Sequence, residues 1–275
     1  MNVNELKESI KVLSKKYKDL KQDDLIYFLN YILKDKYDTK YYSLRMYNNL
    51  SKTKKIYLNF INDFGLEDLS KEVLFINSSL KYKESGIYDI DSNKKVVIIL
   101  NNNTKDLFNL VRYSIILDQL NKKNDEVVSY IKSMLVEKKL LDYLKKIKYS
   151  NIECEKIKKY NLMEVLYISN IINCTLEEIK YYNQVLDINN NIFNQTELNI
   201  KKHIDNSELT KYDLLNSKKY IYGIIYSSYL HQTLTDIDIL NFLNTSMNFN
   251  QFLELYIKDT NKEKILNNYN KEYRC

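Results

Sequence analysis

The sequence predicts an α+β fold that is predominantly helical, with a small antiparallel three-stranded sheet packed on helices. Apolar residues recur at three- and four-residue spacing through most of the chain, which is the helical period. The period changes to short β-branched runs only between residues 73 and 100. The 275 residues are 44% hydrophobic and 28% charged, which is typical of a globular protein that is long enough to bury a core.

The first predicted module, residues 1–65, is helical. Apolar residues recur at helical spacing from residue 5 to residue 33, with a polar break before Leu25. A further helix fits residues 56–64, and Gly65 follows in the position where helices end on a left-handed residue.

The sheet is predicted from three short runs. Residues 73–76 form the first run, and residues 86–90 and 96–100 flank a polar cluster of turn-forming residues. Two β-prone runs around such a cluster predict a hairpin, and the first run adds a third strand.

Helices return after the sheet. Thr104 is placed to cap the first of them, Asn124 and Asp125 open the next, and residues 162–188 predict a helix, a tight turn and a second helix. The C-terminal helices are predicted over residues 220–257 as two or three short elements. The predicted organisation is as follows: a helical module at 1–65, a sheet-containing domain at 66–190, a linker at 191–217 and a C-terminal helical module at 218–275.

Composition excludes several classes of protein. With three glycines and no Gly-x-Gly pair, the chain lacks the glycine-rich loops that bind nucleotide phosphates. No stretch approaches the roughly 20 apolar residues of a membrane span, and the first residues lack an apolar signal segment. Three scattered cysteines form no disulfide framework, so a cytoplasmic protein is expected. The abundance of Asn, Lys, Ile and Tyr indicates an AT-rich genome.

The order of these elements resembles the ImmA/IrrE family of zinc metallopeptidases. In that family a short sheet ending in a hairpin precedes a helix that carries His-Glu-x-x-His, and a helix opening with Glu-Ala-Asn and a helix-turn-helix-like pair follow. The resemblance covers about residues 66–190 and, more loosely, 218–257. The segments that carry it are 85–89, 96–101, 106–111, 125–136, 168–179 and 220–257.

The catalytic motif of the family is absent. The alignment places it on residues 112–116, where Arg112 and Ile116 stand at the two histidine positions and Tyr113 stands at the glutamate position. A guanidinium and a hydrocarbon cannot coordinate zinc, and a tyrosine hydroxyl with a pKa of about 10 is no base near neutral pH. Glu126 alone matches a family ligand, so the resemblance implies vestigial positions without a metal, a cofactor or catalytic residues. Arg112 and Glu126 are hypothesised to pair across the former metal cleft; the alternative is that Arg112 faces solvent and Glu126 favours its helix N-terminus.

Other sites were weighed against this interpretation. The two histidines, His203 and His231, are 28 positions apart and are expected to be ordinary surface or core residues. Cys174 lies at a predicted helix N-terminus that would lower its pKa, but no histidine is near it in sequence, which favours a structural thiol. The second helix of the 162–188 pair is acidic in its first turn, which disfavours DNA reading.

The charge is uneven along the chain. Residues 1–150 hold 28 Lys and Arg against 20 Asp and Glu, whereas residues 151–275 hold 14 against 16. A basic N-terminal module is compatible with nucleic acid as a partner, although a lysine-coated surface explains the same bias. The candidate nucleic-acid contacts are Lys11, Lys15, Lys16, Lys18 and Lys21.

These observations lead to one expected function and two alternatives. The resemblance implies a catalytically inactive relative of the ImmA/IrrE peptidases, which would act as a regulatory or protein-interaction factor of a phage or mobile element. Its implied partner is a repressor-like protein. The first alternative is a DNA-binding transcriptional regulator that uses the basic N-terminal module, and the second is a hydrolase with a non-zinc site at Cys174.

Overall fold

A computed structural model describes residues 23–33, 50–76, 85–90, 93–99, 104–149, 155, 158 and 214–273. Within these residues the protein is mostly helical with one three-stranded sheet, which confirms the predicted class. The helices are α1 Asp23–Leu33, α2 Leu50–Asp63, a 3-10 turn Glu67–Glu72, α3 Thr104–Asn121, α4 Glu126–Lys146, α5 Leu214–Thr233, α6 Asp236–Asn244, α7 Phe249–Phe252, a π-helical turn Leu253–Ile257 and α8 Lys262–Tyr273. The strands are β1 Val73–Ile76, β2 Gly86–Ile90 and β3 Asn93–Ile99.

The chain divides into two compact units, each built from two separate stretches. The first unit comprises residues 1–38 and 163–221, and the second comprises residues 39–162 and 222–275. Helix α1 belongs to the first unit, and its apolar side chains at helical spacing are buried. The sheet and α2, α3, α4, α6, α7 and α8 belong to the second unit. The domain boundaries expected from the sequence stay a prediction.

The sheet is mixed, so the expectation of an antiparallel sheet is wrong for one of its strands. The strand order is β1-β3-β2, with β2 antiparallel and β1 parallel to the central β3. The consecutive residues Val96, Val97 and Ile98 of the central β3 are fully buried, so both faces of this strand are covered. A continuous apolar run is the sequence pattern of such a strand, and it carries no information about the direction of its partners.

Helices α3 and α4 form a hairpin at the centre of the second unit. The sheet packs on α3, α2 packs on α3, and α7 packs on α4. Fourteen residues of α4 are buried, including the charged residues Lys132, Glu137 and Lys138. A helix that is buried on nearly all sides has no solvent face for its charged residues, so each of them needs a partner inside the protein.

Local signals explain where several helices begin and end. Gly65 follows α2 with φ of +74°, and Leu66 N–H donates to the carbonyl of Ile61 across the helix end. Asp125 caps α4 by accepting from the amide of Val127. These features confirm the predicted ends of α2 and start of α4.

The C-terminal helices extend further than predicted. Helix α5 begins at Leu214, inside the predicted linker, and α8 continues to Tyr273, well past the predicted last helical residue 257. Thr235 opens α6 with a reciprocal capping box that involves Asp238. Among the described residues, no helix combines the length and the apolar character needed to cross a membrane.

Candidate functional site

Residues 112–116, where the resemblance expects the zinc-binding motif, lie in the middle of α3, against α4. Arg112 is only 7% exposed and forms a two-pronged ion pair with Glu137 of α4. Its Nε donates to one carboxylate oxygen, and its Nη2 donates to the other at 3.1 Å. Ile116, one helical turn further on, is 7% exposed, and Tyr113 is half-buried. Arg112 therefore does not face solvent.

Glu126 is not the residue that meets Arg112. It stands in the first turn of α4 and is exposed. Glu137 lies 11 residues further along the same helix, which is about 16 Å at 1.5 Å per residue. The Arg112 side chain, held at Glu137, cannot also reach a residue about 16 Å further along α4. The ion pair of Arg112 is therefore made with Glu137 and not with the hypothesised Glu126.

These residues do not fit a zinc ion. The guanidinium of Arg112 has no lone pair to give to a metal, and both oxygens of Glu137 already accept its hydrogen bonds. Ile116 offers only methyl groups. In the described part of the chain, no group of three or more His, Cys, Asp or Glu side chains converges where a metal ion could be held.

A second buried ion pair starts from the next residue of α4. Lys138 Nζ lies 2.7 Å from Oε1 of Glu272 and donates to the Tyr273 hydroxyl at 2.9 Å, which links α4 to α8. Burial lowers the pKa of Lys138, although Glu272 opposes the shift. Burial would raise the pKa of Glu272, but the Lys138 ammonium, which donates to Oε1, and the nearby His231 lower that pKa overall; Oε2 is buried without a hydrogen-bond partner among the described residues.

His231 meets an aspartate at the edge of this cluster. Its Nε2 lies 2.7 Å from Oδ2 of Asp142, and its Nδ1 is buried without a hydrogen-bond partner among the described residues. Burial tends to raise the pKa of Asp142, yet the hydrogen bond from His231 and the charges of Lys139 and Lys145 lower it overall. The contact ties α5 to α4 within the second unit.

A third buried cation, Lys132, lies near the turn that joins α3 to α4. Its Nζ is surrounded by three acceptors, Gln119 Oε1 at 2.9 Å, Asn124 Oδ1 at 3.2 Å and the Thr245 carbonyl at 2.6 Å. The ring of Phe242 lies 4.9 Å from the same atom. Burial lowers the pKa of Lys132 to about 7. The charge of Lys122 also lowers this pKa, and the charge of Asp118 raises it.

Sequence reasoning missed Glu137, Lys138 and Lys132 because they resemble exposed charges on an amphipathic helix. The sequence signal for their burial is the density of hydrophobic residues around them, 11 of the 18 residues between positions 127 and 144. Their partners are distant in sequence: Arg112 is 25 residues from Glu137, and Glu272 is 134 residues from Lys138.

Several predicted site residues lie outside the described part of the chain. These are the candidate nucleic-acid contacts Lys11, Lys15, Lys16, Lys18 and Lys21, together with Cys154, Cys174, Cys275 and His203. The predicted helix pair at 162–188 lies there as well. Their roles stay predictions.

Comparisons with known proteins returned no match: no family model, curated protein or solved structure is similar to this chain.

Proposed function

We propose that the protein is a catalytically inactive relative of the ImmA/IrrE metallopeptidases that acts by binding a protein partner. The observation that carries the proposal is the buried Arg112–Glu137 pair. An arginine that stands where the resemblance expects a zinc-binding histidine supplies a fixed positive charge, and it engages a carboxylate from the neighbouring helix. A protein cation then replaces the metal cation in joining the two helices.

The partner and setting follow from the resemblance. Peptidases of this family cleave or control repressors, so an inactive relative would hold a repressor-like protein or shield it from an active enzyme. The proposed setting is the cytoplasm of a cell that carries a phage or mobile element. The protein then regulates its partner by binding it, and this binding needs no cofactor.

Restoring the two histidines tests the inactive-relative half of the proposal. In the double variant Arg112→His with Ile116→His, two imidazoles one helical turn apart stand on the buried part of α3, where position 112 meets the Glu137 carboxylate. Together these side chains offer the donor types of a His-His-Glu zinc site. We expect the purified variant to gain about one equivalent of zinc by elemental analysis, while the unmodified protein carries far less.

The matched control is Lys55→His with Asn59→His, which places the same spacing on the exposed face of α2. Two imidazoles without a third ligand should hold zinc at least about tenfold more weakly. A full equivalent of zinc in the unmodified protein would falsify the proposal, and equal zinc binding by both double variants would remove the argument that residues 112, 116 and 137 mark a former site.

The binding half needs its own experiment. The tagged full-length chain is expressed in a host that carries the mobile element, crosslinked and purified for mass spectrometry. We expect a repressor-like DNA-binding protein to be enriched over a tag-only control. Enrichment of no such protein, together with proteolysis of a repressor added to the purified chain, would show that the protein acts as an enzyme.

A further inference from the structure

The C-terminal helices of the second unit form an open pocket, lined by residues with polar or charged side chains, that is separate from the Arg112–Glu137 pair. Its volume is about 660 Å³, within the range of small-molecule sites. One face of α8 supplies Lys264, Asn267, Asn268 and Lys271, and the last residues of α5, Gln232 and Thr233, supply the opposite side. Positions 264, 267, 268 and 271 share a helix face because they are three and four residues apart.

Asn268 indicates that this pocket receives a ligand. The residue is 8% exposed and lines the pocket, and its carboxamide makes no hydrogen bond with any residue that the structure describes. Its side-chain oxygen and nitrogen are not among the enclosed unpaired polar atoms of the described residues, so they are accessible from the pocket, where water or a ligand can bond them. A polar ligand in the pocket would provide both a donor and an acceptor for it.

The charges of the lining favour an anionic group. Lys264 and Lys271 are both exposed, and neither forms an ion pair within the described part of the chain. They lie two helical turns apart, about 10 Å along α8, so both flexible side chains can approach one anion between them. The described lining contains no carboxylate that would neutralise them.

The rest of the lining favours hydroxyl groups. Carboxamides both donate and accept, as a polyol does, and the Thr233 hydroxyl, which donates to the Tyr229 carbonyl, keeps an oxygen that accepts. The C-terminus of α5 presents carbonyl oxygens that accept from hydroxyls and repel anions. No aromatic side chain is among the described lining residues, so a nucleobase would find no ring to stack on. This combination suits a sugar phosphate better than a nucleotide or a nucleic-acid strand.

We propose that this pocket binds a phosphorylated polyol, with the phosphate held between Lys264 and Lys271 and the hydroxyls held by Asn268, Gln232 and Thr233. The inference is independent of the proposed function, because none of these residues takes part in the Arg112–Glu137 contact. The ligand would report the metabolic state of the cell to a protein that otherwise only binds.

Calorimetric titration of the full-length protein with ribose 5-phosphate tests the proposal. We expect saturable binding with a dissociation constant of about 10 μM to 1 mM, and at least about tenfold weaker binding of ribose and of inorganic phosphate, which each lack one half of the ligand. Asn268→Leu, similar in size but unable to hydrogen-bond, should weaken binding about tenfold. Lys264→Gln with Lys271→Gln should do so by at least the same factor.

The control is Lys94→Gln with Lys258→Gln, which removes two exposed lysines that do not line the pocket and should leave binding unchanged. Since Lys264 and Lys271 are exposed, their variant stays folded and gives a result even if Asn268→Leu unfolds. Three outcomes would overturn the proposal: no binding of ribose 5-phosphate, equal loss in the lining and control variants, or binding of a single-stranded ten-nucleotide DNA in preference to the sugar phosphate.

Discussion

At the scale of single residues, Lys132 carries a clear pH signature. Its three acceptors favour the ammonium form, yet burial lowers its pKa from 10.5 to about 7. Between those values the unfolded chain binds more protons than the folded protein, so stability from this residue rises with pH. In Lys132→Met that dependence disappears.

The measurement is urea unfolding of both proteins from pH 6 to pH 9.5. The difference in free energy of unfolding, unmodified protein minus Lys132→Met, should be flat below pH 7 and rise above it by about 1 kcal/mol per pH unit. Other titrating groups cancel in the difference. A difference that stays constant across the range would mean that Lys132 keeps an ordinary pKa.

The Arg112–Glu137 pair makes a different prediction, because both partners are buried. Arg112→Met alone leaves the Glu137 carboxylate without its guanidinium, which should cost about 3–5 kcal/mol. Arg112→Met combined with Glu137→Leu removes both charges and should recover most of that loss. Chemical denaturation of the unmodified protein, Arg112→Met, Glu137→Leu and the double variant gives the coupling energy. Single and double variants of equal stability would show that the pair does not bury its charges. Lys71→Met, at the exposed Lys71–Asp68 pair, is the control that should change nothing measurable.

At the scale of helices and strands, the end of α2 depends on one glycine. Gly65 has φ of +74°, and no atom lies within 4 Å of where a Cβ would stand, so only the backbone conformation opposes a side chain. Gly65→Ala should therefore destabilise the protein by about 1 kcal/mol. Thermal unfolding measures it, and Lys123→Gly, at a residue with φ of 57°, should act in the opposite direction. If the alanine variant is as stable as the parent, α2 does not end in a left-handed residue.

The elements that could be predicted from sequence are those whose signals are local. The β2–β3 hairpin follows from two β-prone runs around a polar cluster, and the start of α4 follows from Asp125. The parallel pairing of β1 with β3 joins residues 23 positions apart, and no local pattern encodes its direction. The first residues of α5, 214–217, lie in the predicted linker because Asn216 and Ser217 follow a polar stretch without a helical period.

For the candidate site, the sequence predicts which metal-binding side chains are missing but not which residues pair there. The absence of zinc-binding side chains at Arg112 and Ile116 is visible in the sequence. That Glu137 and not Glu126 approaches Arg112 depends on how far α3 and α4 overlap as an antiparallel hairpin, which is a property of tertiary packing. Likewise, the pocket along α8 exists only because the end of α5 lies beside it, and the sequence of neither helix predicts that the two are neighbours.

At the scale of the second unit, two consecutive residues of α4 join three helices. Glu137 pairs with Arg112 on α3, and Lys138 pairs with Glu272 on α8, so four buried charges alternate in sign and sum to zero. Alternation lets each charge be stabilised by its neighbours in a medium of low polarity. The C-terminal helix is therefore an integral part of the core of this unit, and acid should loosen it by protonating Glu272.

The sign of that acid effect follows from the pKa of Glu272, which lies below its ordinary value of 4.5 because Lys138 and His231 outweigh the effect of burial. A lowered pKa in the folded protein stabilises it above the unfolded value, and this contribution is lost as pH falls through the lower folded value. Lys138→Met with Glu272→Leu removes the titrating pair without leaving a buried charge. We expect the difference in free energy of unfolding between the unmodified protein and this variant to be constant from pH 7 to about pH 5 and to shrink below about pH 4.5. Hydrogen exchange of the α8 amides over the same range should show faster opening of α8 in the unmodified protein only at the acid end. Faster exchange already between pH 5 and pH 7 would mean that its partners do not lower the pKa of Glu272.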